Sequence, residues 1–363
     1  MSAQPVGFKS FSSYAVKSLI ATPPPSSQTR IDTAIERLHE GARRFARLSI
    51  QERIDLAMAM QRGVLRVAEK SVAAGCRAKS IALGSTLEAE EWATGPWGVV
   101  RQLRQIRQQL AAVRDRGNTQ IGKVSRTIDG GLAVNVFPSN GIDKLLFNDV
   151  SVDVHMLPSV TESRLSESRA SYYKAEHTDS RVVLALAAGN IAAIAPMDVI
   201  TKMFNEGAVC LLKVNPVNAY LGPFIEEAFA DAIQANYLAA IYGGVEEGAY
   251  AVNHDGIDEI HVTGSDKTHD AIVWGSPGPE RDERMKRKVP LLAKRITSEL
   301  GNISPILLVP GPYTDAELRF QAEDAASYFV MNASFLCNAA KMLVLPQQWD
   351  GSDKFRRGIE AVC

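Results

Sequence analysis

The chain has 363 residues, 46% of them hydrophobic and 22% charged, with a formal net charge of -1. That length exceeds one small core, so two domains are the natural expectation. The near-neutral balance excludes a global electrostatic drive toward nucleic acid or an anionic membrane.

Residues 1–30 read as a flexible tail ending in the linker Pro23-Pro24-Pro25. The segment is Ser-rich, lacks acids and carries Lys9, Lys17 and Arg30, which gives it a faint likeness to an organellar transit segment. From Ile31 to about Val113 the pattern is helical. Ser49-Ile50-Gln51-Glu52 has the form of a capping box. Behind it, Ile50, Ile54, Met58 and Leu65 mark an apolar stripe, and Val99, Leu103, Ile106, Leu110 and Val113 mark another. Both stripes are read as core.

The period changes at Gly117. Leu132, Val134 and Val136 alternate with other residues just after Asp129-Gly130-Gly131, a hairpin signal. Residues 117–158 are expected to form a hairpin-like excursion. Residues 159–180 are expected to be a surface connection. The run from Val182 to Met197, interrupted by Asn190, is too short for a comfortable membrane span and reads as two adjacent buried strands.

Strand and helix then alternate. Strands are expected at 182–186, 209–214, 239–244 and 257–263, with helices over 198–205, over 221–235 and from Lys267. Repeated units of this length imply a parallel, helix-covered sheet with its ligand at the carboxyl ends of the strands. Asn190, Lys213, Gly243 and Gly264 follow or end those strands. The charged stretch from Gly278 to Lys288 is expected to be a solvated loop. The sharper alternative is that Arg284, Lys286, Arg287 or Lys288 meets an anionic group such as a 2′-phosphate.

The four cysteines, Cys76, Cys210, Cys337 and Cys363, are scattered with no C-x-x-C pair. Neither a disulfide framework nor a metal site is expected, and a reducing, cytoplasmic compartment fits. Two phrases near the end stand out, Thr297-Ser298-Glu299-Leu300-Gly301-Asn302 and Asn332-Ala333-Ser334-Phe335-Leu336-Cys337-Asn338. A thiol with a separate carboxylate suits nucleophilic catalysis with a general base. Taken singly, Cys337 is equally a packed thiol, Glu299 a strand end, Asn190 a turn former and Lys213 a snorkelling lysine. Gly264-Ser265 before a helix is equally a plain N-cap or half of a phosphate-binding turn.

Their order is more specific. Asn190 stands 23 positions before Lys213; then come Thr263-Gly264-Ser265, Glu299-Leu300-Gly301 and Asn332, five positions before Cys337. This succession resembles the aldehyde dehydrogenase superfamily from about residue 181 to 345, with a looser helical likeness over 31–113. The resemblance implies an α/β, Rossmann-type parallel sheet covered by helices and an incomplete second α/β catalytic domain. It divides the chain into a dinucleotide-binding domain (31–116 and 159–300), an oligomerisation excursion (117–158) and the start of a catalytic domain (301–363).

It also implies roles. Cys337 is the nucleophile toward an aldehyde, Asn190 an oxyanion donor and Glu299 the base that activates water. Lys213 holds the adenosine ribose of NAD or NADP, Gly264 and Ser265 meet the pyrophosphate, and Gly243 and Leu300 are further cofactor contacts. A homodimer or homotetramer follows from the same likeness. No nucleic-acid or membrane partner is implied.

Departures bear on these roles. Ala188-Gly189 replaces the Pro-Trp usual before the asparagine. Pro216 stands where a ribose-gripping acid is usual, which leaves room for NADP. The stretch between Gly264 and Glu299 is longer than usual. The family continues well beyond the cysteine, so ending at Cys363 implies a catalytic domain only begun. Two alternatives follow. One is a coenzyme A-acylating aldehyde dehydrogenase or acyl reductase, against which the water-activating Glu299 argues. The other is a non-catalytic cofactor-binding protein.

Overall fold

A computed structural model describes residues 22–177 and 180–363. Most of the tail expected over residues 1–30 therefore lies outside the described residues. Ser26 is buried instead of trailing in solvent: its N–H donates to the Tyr242 carbonyl at 3.0 Å, and its hydroxyl accepts from the Tyr242 N–H at 3.0 Å. Ser27 caps the first helix, Gln28–Ala46, which starts ahead of the expected Ile31.

The capping box forms as the sequence predicts. The Ser49 hydroxyl accepts from the Glu52 N–H at 3.2 Å, and the Ser49 N–H donates to the Glu52 carboxylate at 2.7 Å. It opens the long helix Ile50–Ala78. The stripe expected on that helix needs correction. Leu65 is 59% exposed, and Ile54, Ala57, Met60, Val64 and Val67 face the core. The apolar arc is wider than the four residues marking it suggested, and Leu65 falls just outside. The helix Gly98–Arg116 packs beside it through Val99, Leu103, Leu110 and Val113.

The excursion is a three-stranded antiparallel sheet of β1 (Val124–Arg126), β2 (Leu132–Phe137) and β3 (Val152–His155). Gly130, at φ 85°, makes the left-handed corner of the β1–β2 turn. A short helix, Gly141–Leu146, lies between β2 and β3, and Asp143 in it pairs with Arg101 at 2.8 Å.

The central sheet is parallel throughout. It comprises β4 (Val182–Leu186), β5 (Val209–Lys213), β6 (Leu238–Ile241), β7 (Glu259–Gly264) and β8 (Arg295–Leu300), in the order β6-β5-β4-β7-β8. β4 and β5 are nearly continuous apolar runs because helices cover both faces. From β4 the chain winds outward through β5 to β6, then returns to β7 on the other side. The switch point between β4 and β7 opens a crevice at their carboxyl ends.

Three expected elements differ. The run 182–197 is one strand, then a turn through Asn190, then the helix Ile194–Ile200, which continues as a wider turn over Thr201–Asn205. Pro196 lies in the first helical turn, where a missing N–H costs nothing. Val199, Ile200, Met203 and Phe204 are all buried, so polar and apolar residues do not alternate along this helix. The helix expected over 221–235 is two pieces, Gly222–Ala228 and Ala230–Gln234, with buried Phe229 at the break. The solvated loop expected over 278–288 is an exposed helix, Pro279–Arg287. Proline at its start, Glu280 and Asp282 in its first turn and Arg284, Lys286 and Arg287 in its last all complement the helix dipole.

Residues 301–363 form a smaller α/β layer. β9 (Pro305–Leu307) and β10 (Met342–Val344) pair in parallel. They pack on the helices Asp315–Val330 and Gly351–Val362 around Leu318, Ala322, Ala325 and Phe355. Among the described residues no helix is long and apolar enough to cross a membrane.

Candidate active site

A cleft of about 1100 Å³ opens where the carboxyl ends of β4, β7 and β8 meet the loop before β10. Asn190, Thr263, Gly264, Glu299, Leu300 and Cys337 all line it. The two phrases singled out in the sequence thus meet Asn190 across one space.

Each residue arrives by a different local device. β4 ends in Ala187-Ala188-Gly189-Asn190. A Cβ on Gly189 would stand 2.6 Å from the Asn215 side chain, so only glycine lets that side chain approach. Asn215 holds the turn from below: its amide donates to the Ala187 carbonyl at 3.2 Å, and its oxygen accepts from the Val217 N–H at 3.0 Å. Glu299 is carried on β8, directly across from Thr263 on β7, and is exposed toward the cleft. The Cβ position of Gly264 meets no atom within 4 Å, so backbone is open to the cleft there.

Cys337 lies on a loop whose fastening the sequence did not reveal. Asn332, Ala333 and Ser334 are consecutive left-handed residues, at φ 49°, 50° and 67°. Each such residue costs ~1–2 kcal/mol relative to ordinary backbone. Polar contacts to buried Asn332 offset this. Its Oδ1 accepts from Lys79 Nζ at 2.8 Å, its backbone N–H donates to Glu90 Oε2 at 3.1 Å, and its amide donates to the carbonyls of Asn190 at 3.0 Å and Phe335 at 3.1 Å. Glu91, itself buried, pairs with Lys79. Lys341 donates to the Ser334 hydroxyl at 2.6 Å from the other side. The Asn190 amide donates to the Phe335 carbonyl at 2.9 Å. An amide nitrogen carries two N–H groups, so this bond leaves one for another acceptor. Cys337 itself is exposed.

Three other expected cofactor residues stand outside the cleft wall. Lys213 is 7% exposed at the end of β5, and burial pulls its ammonium pKa below the usual lysine range against the opposing pull of Glu247. Gly243 has φ 129°, and a Cβ there would collide with the Glu247 carboxyl, which accepts from the Gly244 N–H at 2.6 Å. That glycine therefore admits a carboxylate of this chain. The Ser265 hydroxyl caps the helix Asp266–Trp274 by accepting from the Thr268 N–H at 3.2 Å, and Asp266 adds negative charge to the same end. The basic residues of the helix Pro279–Arg287 do not line the cleft. Arg281 is tied to Asp270 at 2.7 Å and Arg284 to the Trp274 carbonyl at 3.2 Å.

Sequence reasoning missed Lys79, Glu90, Glu91 and Asn215 as parts of this region. Only the position of Lys79 at the end of the helix Ile50–Ala78 marked it as something other than an outward charge.

No family model and no curated protein matches the sequence. Solved structures do match the fold. An NADP-dependent glyceraldehyde-3-phosphate dehydrogenase from Bacillus halodurans, complexed with NADP, aligns over 93% of this chain and 57% of its own at 17% identity and a TM-score of 0.57. An indole-3-acetaldehyde dehydrogenase of P. syringae, in complex with NAD+, aligns over 94% and 56% at 16% identity and a TM-score of 0.56. The aldehyde dehydrogenase KauB from Pseudomonas aeruginosa aligns over 94% and 56% at 15% identity and a TM-score of 0.53. The chain thus spans little more than half the length of these structures, and at such identities the likeness establishes the fold.

Proposed function

We propose that this chain, which has the fold of the aldehyde dehydrogenases, is built for the NAD(P)-dependent oxidation of an aldehyde to a carboxylic acid. The observation that carries the reading is the convergence of Asn190, Glu299 and Cys337, from three separate segments, on one cleft. It lies at the topological switch point of a parallel sheet, where such sheets bind ligands.

The fold neighbours named above include proteins complexed with NADP and with NAD+. The residues present fit such a group in part. Open backbone at Gly264, the neighbouring Leu300 and a cleft of about 1100 Å³ accommodate it, and Lys213 is the cation nearest in role to a ribose ligand. Gly243 and Ser265 fit less well, since Glu247 and Asp266 carry negative charge beside them. When bound, the nicotinamide would supply the hydride acceptor that a Cys337 thiohemiacetal needs to become a thioester.

The chain's own groups carry the remaining chemistry. The Cys337 sulfur attacks the aldehyde carbon to form a thiohemiacetal. The free N–H of the Asn190 amide and the Cys337 backbone N–H face the oxyanion, each such donor being worth ~3–4 kcal/mol in comparable sites. Glu299 draws a proton from water, and the hydroxide hydrolyses the Cys337 thioester to acid and free thiol. An exposed carboxylate on a rigid strand end suits that step.

Steady NAD(P)H formation from a panel of aldehydes, with Cys337→Ala as control, tests the reading. Turnover in the wild type, lost in the variant, with carboxylic acid as product, is the expected result. Equal silence of both proteins while the cofactor still binds would favour the non-catalytic alternative. An acyl-coenzyme A product on addition of coenzyme A would favour the acylating one.

A further inference from the structure

A buried parallel sheet ordinarily presents apolar side chains to its covering helices. The face of β7 and β8 turned toward the segment 194–205 does not. Three cross-strand pairs stand in a row there: Glu259 with Arg295, His261 with Thr297, and Thr263 with Glu299. Alternation along the strands puts all six on one face. Asp198 and Lys202, one helical turn apart, descend onto it.

The contacts are specific. Thr263 donates its hydroxyl proton to Asp198 Oδ2 at 2.8 Å. His261 Nε2 lies 3.4 Å from Thr263 Oγ1 and 3.6 Å from Asp198 Oδ1, while Nδ1 is 2.8 Å from Thr297 Oγ1. Lys202 Nζ donates to Thr297 Oγ1 at 3.1 Å and to Glu259 Oε1 at 2.9 Å. The His261 and Asp198 side chains are each only 13% exposed. On the other flank His261 faces Ala185 of β4, which is uncharged. Cys210 of β5 lies farther along the same face, its thiol pushed up by burial. Arg181 and Arg295 close the far end on Glu259.

We infer that Asp198 and His261 form a proton-holding dyad that serves Glu299 through the Thr263 hydroxyl. The inference rests on the proposed role of Glu299 as base. In thioester hydrolysis Glu299 acquires a proton from water and must shed it before the next turnover. Thr263, its cross-strand neighbour, also lines the cleft. The proton on Glu299 moves to Thr263 Oγ1 while the Thr263 O–H proton moves along its hydrogen bond to Asp198 Oδ2, so one proton enters and one leaves the hydroxyl. Asp198 passes that proton on to His261 Nε2. With the ring proton on Nδ1, donated to Thr297, Nε2 is the vacant acceptor. The imidazolium formed is held by Asp198. His261 and Asp198 act through Thr263 and are positioning residues.

Two readouts test this on the full chain. The first is the 15N titration of histidine side chains, with His261 assigned through His261→Gln. The Nδ1–H tautomer is expected at neutral pH. Glu299→Gln should shift the His261 midpoint downward, and by a smaller amount when made in a Thr263→Val background. An Nε2–H tautomer, or a midpoint indifferent to Glu299, overturns the inference whether or not the protein oxidises aldehydes. The second is turnover. His261→Gln should slow acyl-enzyme hydrolysis about tenfold and flatten its pH profile, with alkylation of Cys337 unchanged. Hydrolysis at the wild-type rate and pH profile overturns it. A coupled titration in a protein that turns over no aldehyde would sink the dehydrogenase reading and leave the dyad standing.

Discussion

Lys79 Nζ donates to Asn332 Oδ1 at 2.8 Å, joining side chains 253 positions apart. The bond ties the end of the long helix Ile50–Ala78 to the loop that carries Cys337. The N-terminal helices thereby become part of the cleft's architecture. Lys79 also neutralises buried Glu91, and Glu90 takes the Asn332 N–H, so the segment 79–91 grips the loop at several points.

Lys79→Met leaves the Asn332 oxygen without that donor and Glu91 without its cation. Loss of a hydrogen bond to a charged group costs ~1.5–3 kcal/mol. Amide hydrogen exchange over residues 331–338 should accelerate, and Cys337 should be alkylated at an altered rate. Exchange indistinguishable from wild type would show that the loop holds without this grip.

Ala333→Gly should stabilise the protein. Ala333 sits at φ 50°, a conformation glycine adopts at no steric cost. Relief of ~1–2 kcal/mol of strain exceeds the entropy glycine adds to the unfolded chain, ~0.5–1 kcal/mol. A thermal melt should show a rise in Tm. A fall would mean that the loop relaxes only with its alanine in place.

Lys213→Met should raise the stability of the cofactor-free protein, since burial disfavours the ammonium. The sign fixes the pH dependence. A lysine whose folded pKa lies below its unfolded value binds fewer protons when folded, so its penalty is full at low pH and fades as pH rises through the folded pKa. The advantage of the variant should shrink toward alkaline pH in denaturant melts. The same variant should lose NAD(P) affinity; equal affinity by calorimetry would remove Lys213 from the proposed site.

Asp143→Asn should loosen the excursion at neutral pH. The hydrogen bond from Arg101 is the largest influence holding the Asp143 carboxyl well below the usual carboxylate range, with the Ser139 contacts adding to it against the opposing effect of burial. A depressed carboxyl contributes stability above its unfolded value of about 3.9, and that contribution fades as pH falls through the folded value. Proteolysis of residues 117–158 should distinguish the variant from wild type at pH 7 more than near pH 2. An equal difference at both would rule out the ionised pair as the fastening.

The sheet was legible for a physical reason. β4 and β5 are apolar runs bounded by Arg181 and Lys213, and nothing but a strand covered on both faces suits them. The capping box at Ser49 and the hairpin turn at Gly130 were legible too, because their chemistry is completed within a few residues. The helix Ile194–Ile200 was not, since burial on every side removed its period. The charged helix Pro279–Arg287 escaped because its exposed residues bury nothing that could reveal a period, although its ends carried the right signals.

The candidate site divides the same way. Asn190, Glu299 and Cys337 were singled out by the family resemblance that their order and spacing carry, and the strand ends that carry the first two are local facts. That all three face one cleft, that Lys79 and Glu90 hold the loop of the third, and that His261 stands one rung behind the Thr263–Glu299 pair are matters of tertiary structure. A hydrogen bond between distant segments leaves no trace in periodicity. It exists only once the core has packed and brought the donor within about 3 Å of its acceptor.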